Sequence, residues 1–340
     1  MTIKQLALVG VLALSTALPA GAADVELTLS HWVPGTHPLH VTGMEPWAES
    51  IRDASNGRIE ITIYPAQQLG NAADHYDMAR DMVVDIGFIN PGYQPGRFPI
   101  LAAGELPFMF SNAVSGSRAL HEWYAQYAEQ EMADVHVCMV HLHDPGTLHS
   151  KTGPLLVPED LRGKNIRPAH ATMARLVSAL GGASVQVPAP EIRELLSKGA
   201  ADMTASPWGS VFTFGLEDAV THHLDMPFYA TTFAFVMNKT VVDGLSPEDR
   251  EVIDAHCSPE WSERIATEWA AYEAAGRERL LATEDHTFHT PDAAQIQLWK
   301  AAGAPLTDEW KRAVSAAGHD ADAIYESFIE TLRRHNALVE

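Results

Sequence analysis

The sequence predicts an α/β protein of two lobes with a cleft between them, and three observations carry that prediction. Strand-like runs of period two alternate with helical runs over the first half of the chain, and the alternation restarts past His149. A length of 340 residues with 46% hydrophobic content also suits two cores better than one.

The elements follow in order. Residues 25–30 (VELTLS) alternate as a strand does, and a helix is expected over 39–54, ended by Asn56-Gly57. Residues 58–64 form the next strand, with Ile59, Ile61 and Ile63 on one face and Pro65 as its stop. A helix over 72–83 and a third, fully buried strand over 85–90 come next. Strands separated by helices of this length imply parallel crossovers and a sheet covered on both faces. After the Pro/Gly-rich 91–99, a helix over 113–132 and a strand over 135–142 complete the first lobe. The second lobe centres on a strand ending at Arg167 and a helix marked by Met173, Leu176, Val177 and Leu180, stopped at Gly181-Gly182. A strand over 232–238 crosses back, and a long helical signal covers 247–283, started by Ser246-Pro247 with Glu248 and Asp249 in its first turn. The tail over 291–338 reads as helical and solvated.

Residues 1–23 have the form of a secretory signal peptide: one lysine, an apolar run from Leu6 to Leu18, and small residues at Ala20 to Ala23. The run is too short for a membrane anchor, so an exported chain without stable membrane insertion is expected. With 23 Lys and Arg against 44 Asp and Glu, the net charge of −21 argues against nucleic acid and anionic membranes as partners. The two cysteines, Cys138 and Cys257, stand 119 residues apart. An oxidising compartment would let them bridge, but the apolar run around Cys138 favours a buried packing role.

Arg167 is the main functional candidate. Ligands of open α/β sheets bind at the carboxyl ends of strands, and a guanidinium placed there beside a helix start suits a carboxylate bidentately. The surrounding stretch 158–207 resembles the ligand-binding core of the solute-binding proteins of tripartite ATP-independent periplasmic (TRAP) transporters. The resemblance rests on PEDLRGKNIRP, the glycine-ended helix, VPAPEIRELLSKGAAD, and the Asn-Gly-Arg and Pro-Ala-Gln-Gln-Leu-Gly punctuation within 56–70. It covers the chain from Val25 to Leu332.

The resemblance implies a periplasmic binding protein fold with a long helix spanning both lobes, and a receptor rather than an enzyme. It also implies residence in the periplasm, a small organic acid as ligand, TRAP membrane permease subunits as partners and no cofactor. Lobe I is expected at 24–148 with 237–275, and lobe II at 149–236 with 276–332. Arg167 matches the arginine that clasps the carboxylate in the family. Many members carry a second arginine ahead of that strand; here Gly146-Thr147-Leu148-His149-Ser150 holds none, which favours a small monocarboxylate over a dicarboxylate or a sialic acid.

By the strand-end rule Asn90 and Tyr93 should face the cleft from the first lobe, and Ser206, Trp208 and Phe212 from the second. His31 and His149, also at strand ends, would make binding pH-sensitive. Two rival readings stay open. The same fold could hold an amine or amino alcohol through Glu105, Asp144 or Asp225. The histidine runs around His31, His37 and His40 and around His141, His143 and His149 could mark a metal-binding protein or hydrolase, although neither has a recognised metal spacing. No GxSxG, HExxH, CxxC or glycine-rich phosphate loop occurs, so no metal or catalytic residue is assigned.

Overall fold

The computed structural model describes residues 23–339. The expected signal peptide therefore lies outside the described residues, apart from Ala23. The first region runs β1 (Val25–Ser30), α1 (Glu45–Ala54), β2 (Ile59–Tyr64), α2 (His75–Arg80), β3 (Ile86–Ile89), α3 (Ala113–Glu131) and β4 (Val135–Leu142). The second runs β5 (Thr147–Ser150), β6 (Asn165–Arg167), α4 (Ala171–Ala179), β7 (Ala183–Ser184), α5 (Ile192–Ser197), β8 (Met203–Ser206), α6 (Ser210–Thr213) and β9 (His222–Leu224). The chain then returns through β10 (Thr232–Asn238), α7 (Lys239–Asp243), α8 (Pro247–His256), α9 (Pro259–Leu281) and β11 (Thr287–His289), and ends in α10 (Ala293–Gly303), α11 (Pro305–Ala316) and α12 (Ala321–Arg334).

Two sheets result, ordered β2-β1-β3-β10-β4 and β11-β9-β5-β8-β6-β7. In the first, β1 pairs in parallel with β2 and β3, as the strand–helix alternation requires, while β10 enters antiparallel between β3 and β4. Every residue of β3 and β10 is buried, which explains their unbroken apolar runs. In the second, β6 lies parallel to β7 and β8, and β5 antiparallel to β8 and β9. The strands at the two expected lobe boundaries belong wholly to one sheet each, β5 to the second and β10 to the first.

Four expectations are corrected. The 39–54 segment begins as a π-helical turn (Leu39–Met44), because Pro46 in the first turn of α1 has no N–H with which to continue one hydrogen-bond ladder. The helix expected over 72–83 shrinks to α2, and Met82 just beyond it adopts φ 58°. The 247–283 signal is two helices, α8 and α9, restarted where the Ser258 hydroxyl accepts from Trp261 N and Pro259 opens α9. At that break Cys257 is disulfide-bonded to Cys138 of β4, so Cys138 is buried as expected but is not a free packing residue.

The tail is not merely solvated. Its three helices turn one face inward, burying Trp299, Trp310 and Phe328, and Phe328 meets Trp123 of α3 with ring centroids 4.6 Å apart. The 23-residue α9, about 35 Å long at 1.5 Å per residue, packs on α3 and β4 with its first half and reaches α6 farther along. There Gly276 lies against Gly209 so closely that a Cβ on Gly276 would sit 2.4 Å from the Gly209 Cα. Among the described residues no helix is long and apolar enough to cross a membrane.

Candidate functional site

The carboxyl ends of β1, β3, β6 and β8 and the start of β10 converge on a cavity with about 420 Å³ of empty space out to its mouth. Trp32, Tyr93, Phe214, Tyr229, Phe233 and Trp269 supply aromatic walls, and Arg167, Asn90, His37, His143, Thr231, Ser206 and Ser210 the polar groups. This size and mixture, mostly apolar with a few directed polar atoms, suits one small organic molecule.

Arg167 ends β6 and is 3% exposed. Pro168 follows it, and His170 caps α4 by accepting from Met173 N at 3.2 Å, which fixes the turn out of the strand. The guanidinium donates through Nε to Val187 O (3.0 Å) and through Nη1 to Ala205 O (3.2 Å). Nη2 donates at 3.4 Å to the hydroxyl of Tyr93, which follows β3 of the first sheet. No Asp or Glu among the described residues pairs with Arg167 or lines the cavity. A buried cation whose only partners are neutral is costly in a low-dielectric interior and is relieved by an anion.

Tyr93 sits in a short turn, Pro91–Tyr93, held by Asn90 Oδ1 accepting from Gly92 N at 2.9 Å. Its oxygen accepts from Ala189 N at 2.9 Å as well as from Arg167, which leaves the hydroxyl proton to be donated elsewhere. His37 Nδ1 accepts from Leu39 N (3.0 Å), so Nε2 carries the proton; burial, with His40 adding, pushes its pKa down to about 3, and the ring is a neutral donor. His143 Nδ1 donates to Asp144 O (2.7 Å) and its Nε2 accepts from the Thr231 hydroxyl (2.9 Å). Burial holds His143 neutral too, with its pKa at about 4. Glu273 lies behind the wall, accepting from Trp269 Nε1 (2.7 Å), from Ser210 N and Oγ and from Gly209 N. Burial pushes it up to about 7. The cavity thus presents one fixed positive charge, several neutral donors and no fixed negative charge.

Of the residues predicted from sequence, the structure gathers Arg167, Tyr93, Asn90 and Ser206 around this cavity and leaves His31, His149, Trp208 and Phe212 outside its lining. His31 is fully buried and bonds His40 through Nε2 at 2.8 Å, while its neighbour Trp32 faces the cavity. His149 lies behind Ser206, donating from Nε2 to its carbonyl (3.1 Å) and accepting from His223 Nδ1 (2.7 Å); His223 Nε2 in turn accepts from His286 Nδ1 (2.7 Å). Trp208 stacks on Phe288 at 5.4 Å, and Phe212 packs under Arg279. Sequence reasoning missed Trp32, Phe214, Tyr229, Thr231, Phe233 and Trp269, and it noticed His37 and His143 only as members of histidine runs. The strand-end rule applied to 30–32 could have found Trp32; Thr231 and Phe233 stand at the start of β10 and join the site only because that strand runs antiparallel to β3, and nothing local marks Trp269, which α9 brings in.

The acids of the amine reading are engaged elsewhere. Glu105 accepts from Thr172 Oγ1 (3.0 Å) and faces His170, Asp144 accepts from Ala113 N (2.9 Å), and Asp225 pairs with Arg277 (2.8 Å). Among the described residues no three His, Cys, Asp or Glu side chains are placed to hold a metal ion.

Comparison with known proteins bears on this arrangement. The family model for bacterial extracellular solute-binding proteins, family 7, matches residues 29–313. The chain belongs to this family. A TRAP solute-binding protein from Rhodoferax ferrireducens T118, solved with copurified benzoate, is 30% identical to this solute-binding protein, with TM-score 0.87 over 92% of this chain and 98% of that one. A Bordetella bronchiseptica TRAP protein with bound (R)- and (S)-mandelate is 30% identical, with TM-score 0.86 over 91% and 99% of the two chains. A marine metagenome TRAP protein specific for aromatic acid ligands, solved with metahydroxyphenylacetate, is 31% identical, with TM-score 0.86 over 92% and 99%. The two-lobed α/β fold and the TRAP resemblance read from the sequence are borne out by these likenesses.

Proposed function

We propose that this solute-binding protein captures a small aromatic monocarboxylate outside the cytoplasm and hands it, unchanged, to the membrane permease subunits of a TRAP transporter. The observation that carries the reading is Arg167, buried at the floor of an aromatic cavity with no acidic partner. A ligand carboxylate would take the guanidinium as a charge-assisted pair, with the Tyr93 proton as a further donor. Trp32, Phe233 and Trp269 would hold the ring, and His37 Nε2 offers a donor to a ring or side-chain oxygen. The aromatic acids held by relatives at 30–31% identity point to the same chemistry.

Tyr93 reaching Arg167 and Ala189 would make the site a junction between the lobes expected at 24–148 with 237–275 and 149–236 with 276–332, with β5 taken whole into the second and β10 whole into the first. Ligand contacts to both lobes would then set the closed population through a hinge motion. Export by removal of residues 1–23 and release into the periplasm complete the proposal. The test is a thermal-shift screen with benzoate, 3-hydroxybenzoate, mandelate, matched amines and zinc at equal concentrations, followed by calorimetric titration. Stabilisation by the aromatic acids supports the reading, and stabilisation by amines or zinc alone overturns it.

A further inference from the structure

Two segments joined side by side at the cavity carry a hydrogen-bond relay with a fixed direction. Residues 143–146 follow β4 and residues 228–231 precede β10. The backbone joins them where Gly146 N donates to Tyr229 O at 2.8 Å and Phe228 N to Gly146 O at 3.0 Å. His143, Tyr229 and Thr231 are thereby brought together in the cavity lining.

The relay starts from a group that can only accept. The Asp144 carbonyl takes the proton of His143 Nδ1 at 2.7 Å, and burial keeps the ring neutral, so Nε2 carries a lone pair. That lone pair faces the Thr231 hydroxyl at 2.9 Å, and the Thr231 proton has to point at it. Thr231 Oγ1 makes no other hydrogen bond among the described residues, so it offers the cavity lone pairs and no proton. In this it differs from Arg167, Tyr93 and His37, which all present donors.

Tyr229 stands beside it with the complementary need. Its hydroxyl is buried without a hydrogen-bond partner, next to Gly146, where a Cβ would lie 2.8 Å from the phenol oxygen. A buried O–H lacking an acceptor is costly and is relieved by one. The Tyr229 and His143 rings meet edge to face with centroids 5.5 Å apart, so both hydroxyls adjoin one imidazole. Burial keeps the His143 ring and the Tyr229 phenol neutral, and the charge of Arg167 acts on both, which sets the group at the carboxylate end of the cavity.

We propose that Thr231 and Tyr229 form a subsite for a hydroxyl next to the ligand's carboxylate, so that the class of acid this chain takes is an aromatic 2-hydroxy acid. A ligand hydroxyl is donor and acceptor at once: its proton goes to Thr231 Oγ1 and its oxygen receives the Tyr229 proton. A methylene in that place leaves both protein groups unpaired, and a methoxy leaves Thr231 without a donor. His143 is a positioning residue, acting through the direction it imposes on the Thr231 O–H. The inference rests on the carboxylate reading of the cavity and narrows it.

The test is calorimetric titration of the exported chain with mandelate, phenylacetate and α-methoxyphenylacetate, which share a ring and a carboxylate, and with benzoate as reference. The better-bound mandelate enantiomer should bind at least about fivefold more tightly than phenylacetate or the methoxy acid, as one added neutral hydrogen bond gives. Thr231→Val should bring that ratio close to one, and Thr231→Ser, which keeps the acceptor, should preserve it. His143→Phe should free the Thr231 proton to turn into the cavity, so that the methoxy acid closes the gap with mandelate; a merely structural role of His143 would change all the affinities alike. Equal affinity for mandelate and phenylacetate, a preference that survives Thr231→Val, or binding of benzoate but of none of the other three overturns this proposal and leaves the carboxylate reading standing. Failure of all four acids to bind overturns both.

Discussion

Arg167 and Arg277 divide the two ordinary fates of an arginine between two regions of the molecule. Arg277, on α9, is a third exposed and grips Asp225 with both nitrogen arms, at 3.0 and 2.8 Å. Arg167 is almost fully buried, yet it is given two backbone carbonyls and a phenol. A half-exposed pair gains little net stability, because water already screens both charges. A buried guanidinium without an acid is the costly arrangement, and a fold that retains it at the convergence of its strand ends is built to receive an anion.

The contrast gives an ordered set of expectations. Arg167→Ala should weaken binding of an aromatic carboxylate by about ten- to a hundredfold, from the 1.5–3 kcal/mol net of a hydrogen bond to a charged group. Calorimetry on the parent and the variant measures it, and equal dissociation constants would remove Arg167 from the site. Tyr93→Phe should cost less, about three- to tenfold, because it removes one donor and the partner of Ala189 N while the ring stays in the wall. Arg277→Ala should leave ligand affinity unchanged and lower stability by no more than about 1 kcal/mol. A large affinity loss there would erase the distinction between the two arginines.

Acid separates the regions in another way. Arg277 has a carboxylate beside it, whereas the cavity around Arg167 is flanked by histidines that burial keeps neutral, His37 at about 3 and His143 at about 4. His31 and His141 at about 3 and His149 at about 4 lie deeper in the same state. With the folded pKa below the unfolded 6.5, the unfolded chain takes up protons first. This contribution is fully present above pH 6.5 and is lost as pH falls from there toward 4 to 3, by up to about 1.4 kcal/mol per histidine per pH unit. The melting temperature should therefore drop steeply between pH 6.5 and 5. Exchanging His143 for Gln should shallow the slope, and a melting temperature that holds constant over that interval would contradict the neutral, buried state of these rings.

Much of this organisation was legible in the sequence, for reasons that also mark where legibility stopped. The alternation in 25–30, 59–64 and 135–142 gave the strands, and the strand-end rule gave Arg167, Tyr93, Asn90 and Ser206. The rule names the end of a strand but not the face, so a step of one residue exchanged His31 for Trp32 at the cavity wall. On the short helix α6 and its C-cap, Phe212 and Phe214 differ by about 200° around the axis, and Phe214 faces inward. Trp269 reaches the site only because α9 packs on α3 and β4 and runs on to α6, and the Cys138–Cys257 bridge depends on where α8 ends against β4. Both are tertiary facts with no local signal.

The most direct test sets benzoate against benzamide, which match in shape and differ in charge, in calorimetric titrations of the parent chain and of Arg167→Ala. If Arg167 anchors a carboxylate, benzoate binds the parent chain at least about tenfold more tightly than benzamide, and the variant loses that preference. Equal affinity of the parent chain for the two, or a preference for benzoate that survives the loss of Arg167, would contradict the account.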